Sequence, residues 1–140
     1  MKQAGNTVTT DMNTYIELRD KATSDPEGFA KTDLRRYTTK LAKTDMEQLL
    51  DLRDKIADPK RVKETITLEK QMDGAIEGLK AEGAKGQELR GKFKKVVYEE
   101  IKSAEDTNGG KPLNFDARQK IIDRNLLQND SWFGTTRRFQ

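Results

Sequence analysis

The segment GAKGQELRGKFKKVVYEEIKSAED, residues 83–106, decides the fold. Its first four residues interrupt a preceding helical pattern. From there Leu89, Phe93, Val96, Val97, Ile101 and Ala104 recur at offsets of 4, 3, 1, 4 and 3, the spacing of one apolar face on a helix. Upstream, Val62, Ile66, Met72, Ile76 and Leu79 mark a second amphipathic helix from about Pro59 to Glu82, roughly 35 Å long at 1.5 Å per residue. Two long amphipathic helices joined by a short glycine-bounded link predict an antiparallel αα-hairpin over about residues 59–106, each stripe covering the other. The expected class is all-α, with about five helices, since no run alternates as a strand does.

Shorter helices are expected on both sides of the hairpin. Thr10 or Asp11 caps a first helix running to about Thr23, with Met12, Tyr15, Leu18 or Arg19, and Ala22 on one face. Ser24-Asp25-Pro26-Glu27-Gly28 breaks it, because Pro26 disfavours helix in the residue before it and Gly28 admits a tight turn. Phe29, Leu34, Tyr37 and Leu41 then pin an irregular connector, in which Asp33 is placed to cap a short helical stretch. Thr44-Asp45-Met46-Glu47 reads as a capping box opening the next helix, with Met46, Leu49, Leu50, Arg53 and Ile56 as its buried stripe and Pro59 as the first residue of the helix after it. Residues 105–112 form a flexible turn, and a last helix from Asn114 or Asp116 buries Ala117, Ile121, Ile122 and Leu126. The expected organisation is a flexible N-terminus at 1–10, a helical domain at 11–128, and an aromatic and basic tail at 129–140.

Composition removes several chemistries. The 140 residues include no His and no Cys, so a Ser-His-Asp triad, a thiol nucleophile, a disulfide framework and an ordinary zinc site are all excluded. Apolar residues make up 33% and charged residues 36%, against roughly 45% and 25% in an ordinary domain, which leaves a small core and a stability that is marginal or shared with a partner. GAKG lacks the spacing and the following Ser or Thr of a phosphate-binding loop. Asp106-Thr107-Asn108-Gly109-Gly110 lacks the ligand spacing of a calcium loop and reads as a turn. Glycoside hydrolysis needs only two carboxylates, one of them in an apolar pocket that raises its pKa. Glu99 and Glu100 are the only adjacent Glu pair, and as neighbours on a helix they point about 100° apart. No catalytic residue, metal ligand or cofactor is assigned, and the expected role is non-enzymatic. No run reaches the roughly 18 apolar residues of a membrane-spanning helix, and the N-terminal MKQAGNTVTTD has no apolar signal-peptide core.

The net charge of +3 divides into −1 for residues 1–83 and +4 for residues 84–140. Arg90, Lys92, Lys94 and Lys95 form the densest basic cluster and are the candidate basic surface, whose plainer reading is a solvated helix face. Phe93 beside them falls on the apolar stripe and reads as core. Near the C-terminus Trp132, Phe133, Arg137, Arg138 and Phe139 interleave aromatic and basic residues. They read either as a segment packed back on the helices or as an anchor for a partner, with nucleic acid a third reading.

From Tyr15 to Lys55 the sequence resembles a pattern of the internal virion, or ejection, proteins of short-tailed bacteriophages. The matching positions are Asp25, Pro26, Phe29, Ala30, Asp33, Leu34, Leu41 and Asp45. The segment from Gly110 to Arg124, where Gly-Lys-x-Leu leads into a helix, is similar to another part of such proteins, and the two stretches together span 56 of the 140 residues. Members of that family are often long chains that also carry a peptidoglycan-degrading lytic transglycosylase domain. The resemblance implies a non-catalytic helical module, located in the virion or the host cytoplasm, that binds other virion proteins or itself. Its alternatives are an accessory to peptidoglycan degradation, or a small phage regulator of a host protein or nucleic acid. The matched positions are turn, cap and packing residues, so no catalytic residue follows from them.

Overall fold

The computed structural model describes residues 8–128. Among the described residues the chain forms α1 (Met12–Ser24), α2 (Pro26–Ala30), a 3-10 turn (Leu34–Tyr37), α3 (Lys43–Ala57), α4 (Val62–Ala75), a second 3-10 segment (Glu77–Glu82), α5 (Gly83–Thr107) and α6 (Phe115–Gln128), with no strand. The class is all-α, with one helix, α5, longer than the others. The chain divides into two compact units between Thr67 and Leu68, a boundary that falls inside α4.

In the first unit local chemistry sets most boundaries. Asp11 caps α1, its carboxylate accepting from the Asn13 N–H at 3.1 Å. Asp25 then separates α1 from α2 and caps α2 through the Gly28 N–H at 3.1 Å, while Pro26 takes the first helical position, where its missing N–H costs nothing. Asp33 caps the 3-10 turn through the Arg35 N–H at 3.1 Å. Tyr15, Ile16, Leu18, Ala22, Phe29, Leu34, Leu41, Leu49, Leu52 and Ile56 are buried and form the core of this unit. α2 and α3 pack on each other and both pack on α1.

α3 departs from its expected start. It begins at Lys43, and its cap residue is Ala42, with no side-chain cap hydrogen bond, while Thr44 is exposed; the capping box does not form. Its start is held from elsewhere: Thr10 Oγ1 accepts from the Ala42 N–H at 2.7 Å, and the Thr10 hydroxyl donates to the buried Asp45 carboxylate. The buried face of α3 is also rotated. Asp45, Gln48, Leu49, Leu52 and Ile56 are inside, and Met46, Leu50 and Arg53 sit half-buried at its edges. Arg53 reaches the edge with its head satisfied, donating to the Thr32 carbonyl at 2.7 Å.

The hairpin has altered bounds, and its first helix runs through the boundary between the units. α4 starts at Val62 rather than Pro59, after a turn in which Asp58 Oδ1 accepts from the Lys60 N–H at 2.8 Å. It ends at Ala75, between Gly74 and Gly78, where weak helix formers let the chain tighten into the 3-10 segment that seats Leu79. Gly83 has φ +64°, a conformation that favours glycine, and there the chain reverses into α5. Residues 83–86 are therefore the first turn of the long helix and not a linker. Gly86 is needed for a second reason: a Cβ there would lie 1.9 Å from the Leu79 carbonyl oxygen, so the 3-10 segment packs directly on the backbone of α5. Met72, Ile76, Leu79, Leu89, Phe93, Val97, Tyr98, Ile101, Ile122 and Leu126 form the second unit's core. Val96, expected on the buried stripe, is 40% exposed, and Ala104 is half-buried.

Candidate functional site

α5 is 25 residues long, about 37 Å at 1.5 Å per residue, and it buries two adjacent stripes. Leu89, Phe93, Val97 and Ile101 make the apolar one. One position further along, Arg90, Lys94 and Glu105 are also buried, so charged side chains lie beside the core instead of opposite it. Of the four residues expected to form a basic surface, Arg90 and Lys94 thus turn inward, Lys92 is exposed and Lys95 is half-buried. The cluster is dense in sequence because α5 carries two of its cations for internal pairing. It is not a single solvent-facing surface.

The acids that receive these cations come from α4. Lys94 Nζ, with its side chain fully buried, lies 3.0 Å from Glu69 Oε1 and 2.9 Å from Asp73 Oδ1. Arg90 reaches the same Asp73 oxygen at 3.2 Å and donates to Gln87 Oε1 at 2.9 Å. As the α4 partner steps back from Asp73 to Glu69, the α5 partner advances from Arg90 to Lys94, which makes the two helices antiparallel. Gln71 on the same helix donates to the Phe115 carbonyl at 3.3 Å and to Gln119 Oε1 at 3.2 Å, tying α4 to α6.

A second polar group joins α5 to α6. The Glu105 carboxylate accepts from the Leu113 N–H at 3.1 Å and lies 3.9 Å from the buried Arg118 guanidinium, holding the turn between the helices. Glu100 pairs with Arg124 and accepts from Asn125 Nδ2 at 2.9 Å. Glu99 is exposed, so the adjacent glutamates are split between solvent and a helix contact, as their angular separation requires. In the first unit the fully buried Arg19 donates to Tyr15 Oη and Gln48 Oε1, both at 2.9 Å. Its guanidinium lies 5.7 Å from the Tyr15 ring centroid, and the Tyr15 hydroxyl donates to Gln48.

These groups share one property. Each buried charged side chain among the described residues is engaged within the protein. Among the described residues no three acidic side chains are placed to hold a metal ion, and no helix is long and apolar enough to cross a membrane. The sequence places Arg19, as the alternative to Leu18, on one face of the first helix, and it gives no direct signal for the contacts of Glu69, Asp73, Arg118 and Asn125. The available signal was indirect: Glu69 and Asp73 are spaced i, i+4, as are Arg90 and Lys94. Trp132, Phe133, Arg137, Arg138 and Phe139 lie outside the described residues. No family model, curated protein or solved structure matches the chain.

Proposed function

We propose that this chain is a non-catalytic interaction module that works by protein-protein binding, and that its setting is a phage particle. The observation that carries the non-catalytic part is the internal pairing of ionisable groups: the buried Glu69, Lys94, Glu105 and Arg118 and the half-buried Asp73 are each committed to a helix-helix contact. Catalysis by two carboxylates needs a pair facing a substrate across an apolar pocket, whereas Glu69 and Glu105 each face a cation of a neighbouring helix.

The virion setting rests on the resemblance of residues 15–55 and 110–124. At the matched positions Asp25 and Asp33 serve as caps, Phe29, Leu34 and Leu41 are buried plugs, and Asp45 anchors the start of α3. A module whose matched residues all maintain shape presents a surface and performs no chemistry of its own.

Two measurements test this reading. Dye release from labelled peptidoglycan should stay at background at high protein concentration, and sustained release would overturn the non-catalytic assignment. Light scattering of the purified chain, alone and mixed with virion proteins, should show self-association or a stable complex. A strict monomer that binds none of them would remove the interaction role.

A further inference from the structure

The connector between α2 and α3 is a charged surface that sequence arithmetic over halves of the chain concealed. Residues 31–43, the connector together with the first residue of α3, hold Lys31, Arg35, Arg36, Lys40 and Lys43 against one acid, Asp33, a net charge of +4 in thirteen residues. Residues 8–67 as a whole carry twelve basic and twelve acidic side chains, so the elements flanking the connector hold the balancing −4. All five cations are exposed, in contrast to Arg90 and Lys94. Among the described residues only Arg35 of the five is in a salt bridge, with Asp33 at 3.1 Å.

The backbone beneath these cations is held in place. Leu34 and Leu41 are buried pegs at 0% and 2% exposure. The Lys40 carbonyl accepts from the Asp11 N–H at 2.8 Å, and Thr32 Oγ1 donates to the Gly28 carbonyl at 2.8 Å. Two further cations converge on Thr32: Arg53 at 2.7 Å from its carbonyl and Lys21 Nζ at 3.3 Å from its hydroxyl. The result is a run of exposed cations on a pegged backbone, with the exposed Thr38 and Thr39 among them.

We infer that this connector is a docking surface for the phosphate backbone of a nucleic acid. Exposed cations on a held backbone, with hydroxyl donors among them, are the equipment for phosphate contacts, and these carry affinity without reading sequence. A protein partner is the weaker fit, because interfaces between proteins centre on apolar or aromatic anchors. Here Leu34 and Leu41 are withdrawn into the core and Tyr37 is half-buried. The inference is independent of the virion setting.

The test is fluorescence anisotropy of the full chain with a labelled duplex DNA of arbitrary sequence. Binding should weaken on the order of a hundredfold between about 50 and 200 mM salt, as four or so phosphate contacts imply. The variant Lys31→Glu/Arg36→Glu/Lys40→Glu should lose at least about tenfold in affinity, while Lys70→Glu/Lys92→Glu/Lys120→Glu, the same charge change at exposed sites of the other unit, should stay within about threefold. Circular dichroism of both variants should match the parent, since all six positions are exposed. Equal weakening by the two variants would reduce the effect to net charge and overturn the proposal. So would absence of binding at low salt, or displacement of the DNA by poly-glutamate at equal charge concentration, which would make an acidic protein the partner.

Discussion

At the scale of single residues the buried charges and the close-packed glycine carry the strongest consequences. Lys94 neutralises Glu69 in a site that water does not reach, both side chains being 0% exposed. Lys94→Met should cost about 3–5 kcal/mol, because Glu69 and Asp73 then lose their cation, whereas adding Glu69→Leu should recover a large part of that loss. A urea-denaturation cycle over the two single variants and the double variant checks this, and equal losses in single and double variants would argue against the pairing. Gly86→Ala should destabilise by about 1–3 kcal/mol despite the better helix propensity of alanine, since the atom a Cβ meets at 1.9 Å is the backbone oxygen of Leu79, which no rotamer change moves away. Gly74→Ala meets nothing within 4 Å and should stabilise by roughly 0.5–1 kcal/mol, so thermal melts of the two variants should shift in opposite directions. Asp33 adds a pH dependence. The side-chain hydrogen bond from Arg35, then the Arg35 N–H, hold its carboxyl below the ordinary value of 3.8. A depressed carboxylate stabilises the fold above its ordinary pKa, and this contribution fades as pH falls through the folded-state value. NMR titration should place the Asp33 carboxyl below the exposed Asp residues, and Arg35→Ala should return it towards them.

The same division between local and distant causes governs whole elements. α1, α2 and the 3-10 turn start where a nearby aspartate caps them, and each of those caps, Asp11, Asp25 and Asp33, lies within three residues of the N–H it serves. Such caps are readable in a sequence, as were the break at Pro26 and the buried Phe29. α3 starts by a different device, since Thr10 is 32 residues from the Ala42 N–H that it accepts from, and no local motif reports a cap supplied by tertiary structure. Thr10→Val should therefore cost about 1–2 kcal/mol and speed amide exchange in the first turn of α3, while Thr44→Ala, at the exposed position that sequence favours as cap, should be near neutral. Similar logic limits the reading of faces. Spacing located the stripe of α3 to within one residue, yet the choice between Leu52 and Arg53 depended on the Thr32 carbonyl being there to take the guanidinium. On α5 the apolar stripe was legible. The charged stripe beside it was not, because Arg90 and Lys94 read as solvated cations until α4 brings Asp73 and Glu69 against them.

For the whole molecule, the division at Thr67 and Leu68 makes a prediction that neither composition nor any single helix supplies. Each unit has its own apolar core, around Phe29 and Leu49 in one and around Phe93 and Ile122 in the other, all four side chains at 0% exposure. A core that closes within a unit allows that unit to open without dismantling the rest, the behaviour of separately cooperative segments. Phe29→Ala and Phe93→Ala should each cost about 3–5 kcal/mol, a large share of the roughly 5–15 kcal/mol that holds a domain together. Hydrogen exchange should then respond by unit: Phe29→Ala accelerates the amides of α1 to α3 and leaves the central amides of α5 and α6 protected, and Phe93→Ala does the reverse. The amides of α4, which runs through the boundary, should divide near Thr67, with those before it following the first unit and those after it the second. A uniform acceleration across all helices in both variants would mean that the two cores melt as one, and the connector's cationic surface would then be only as stable as the least stable part of the chain.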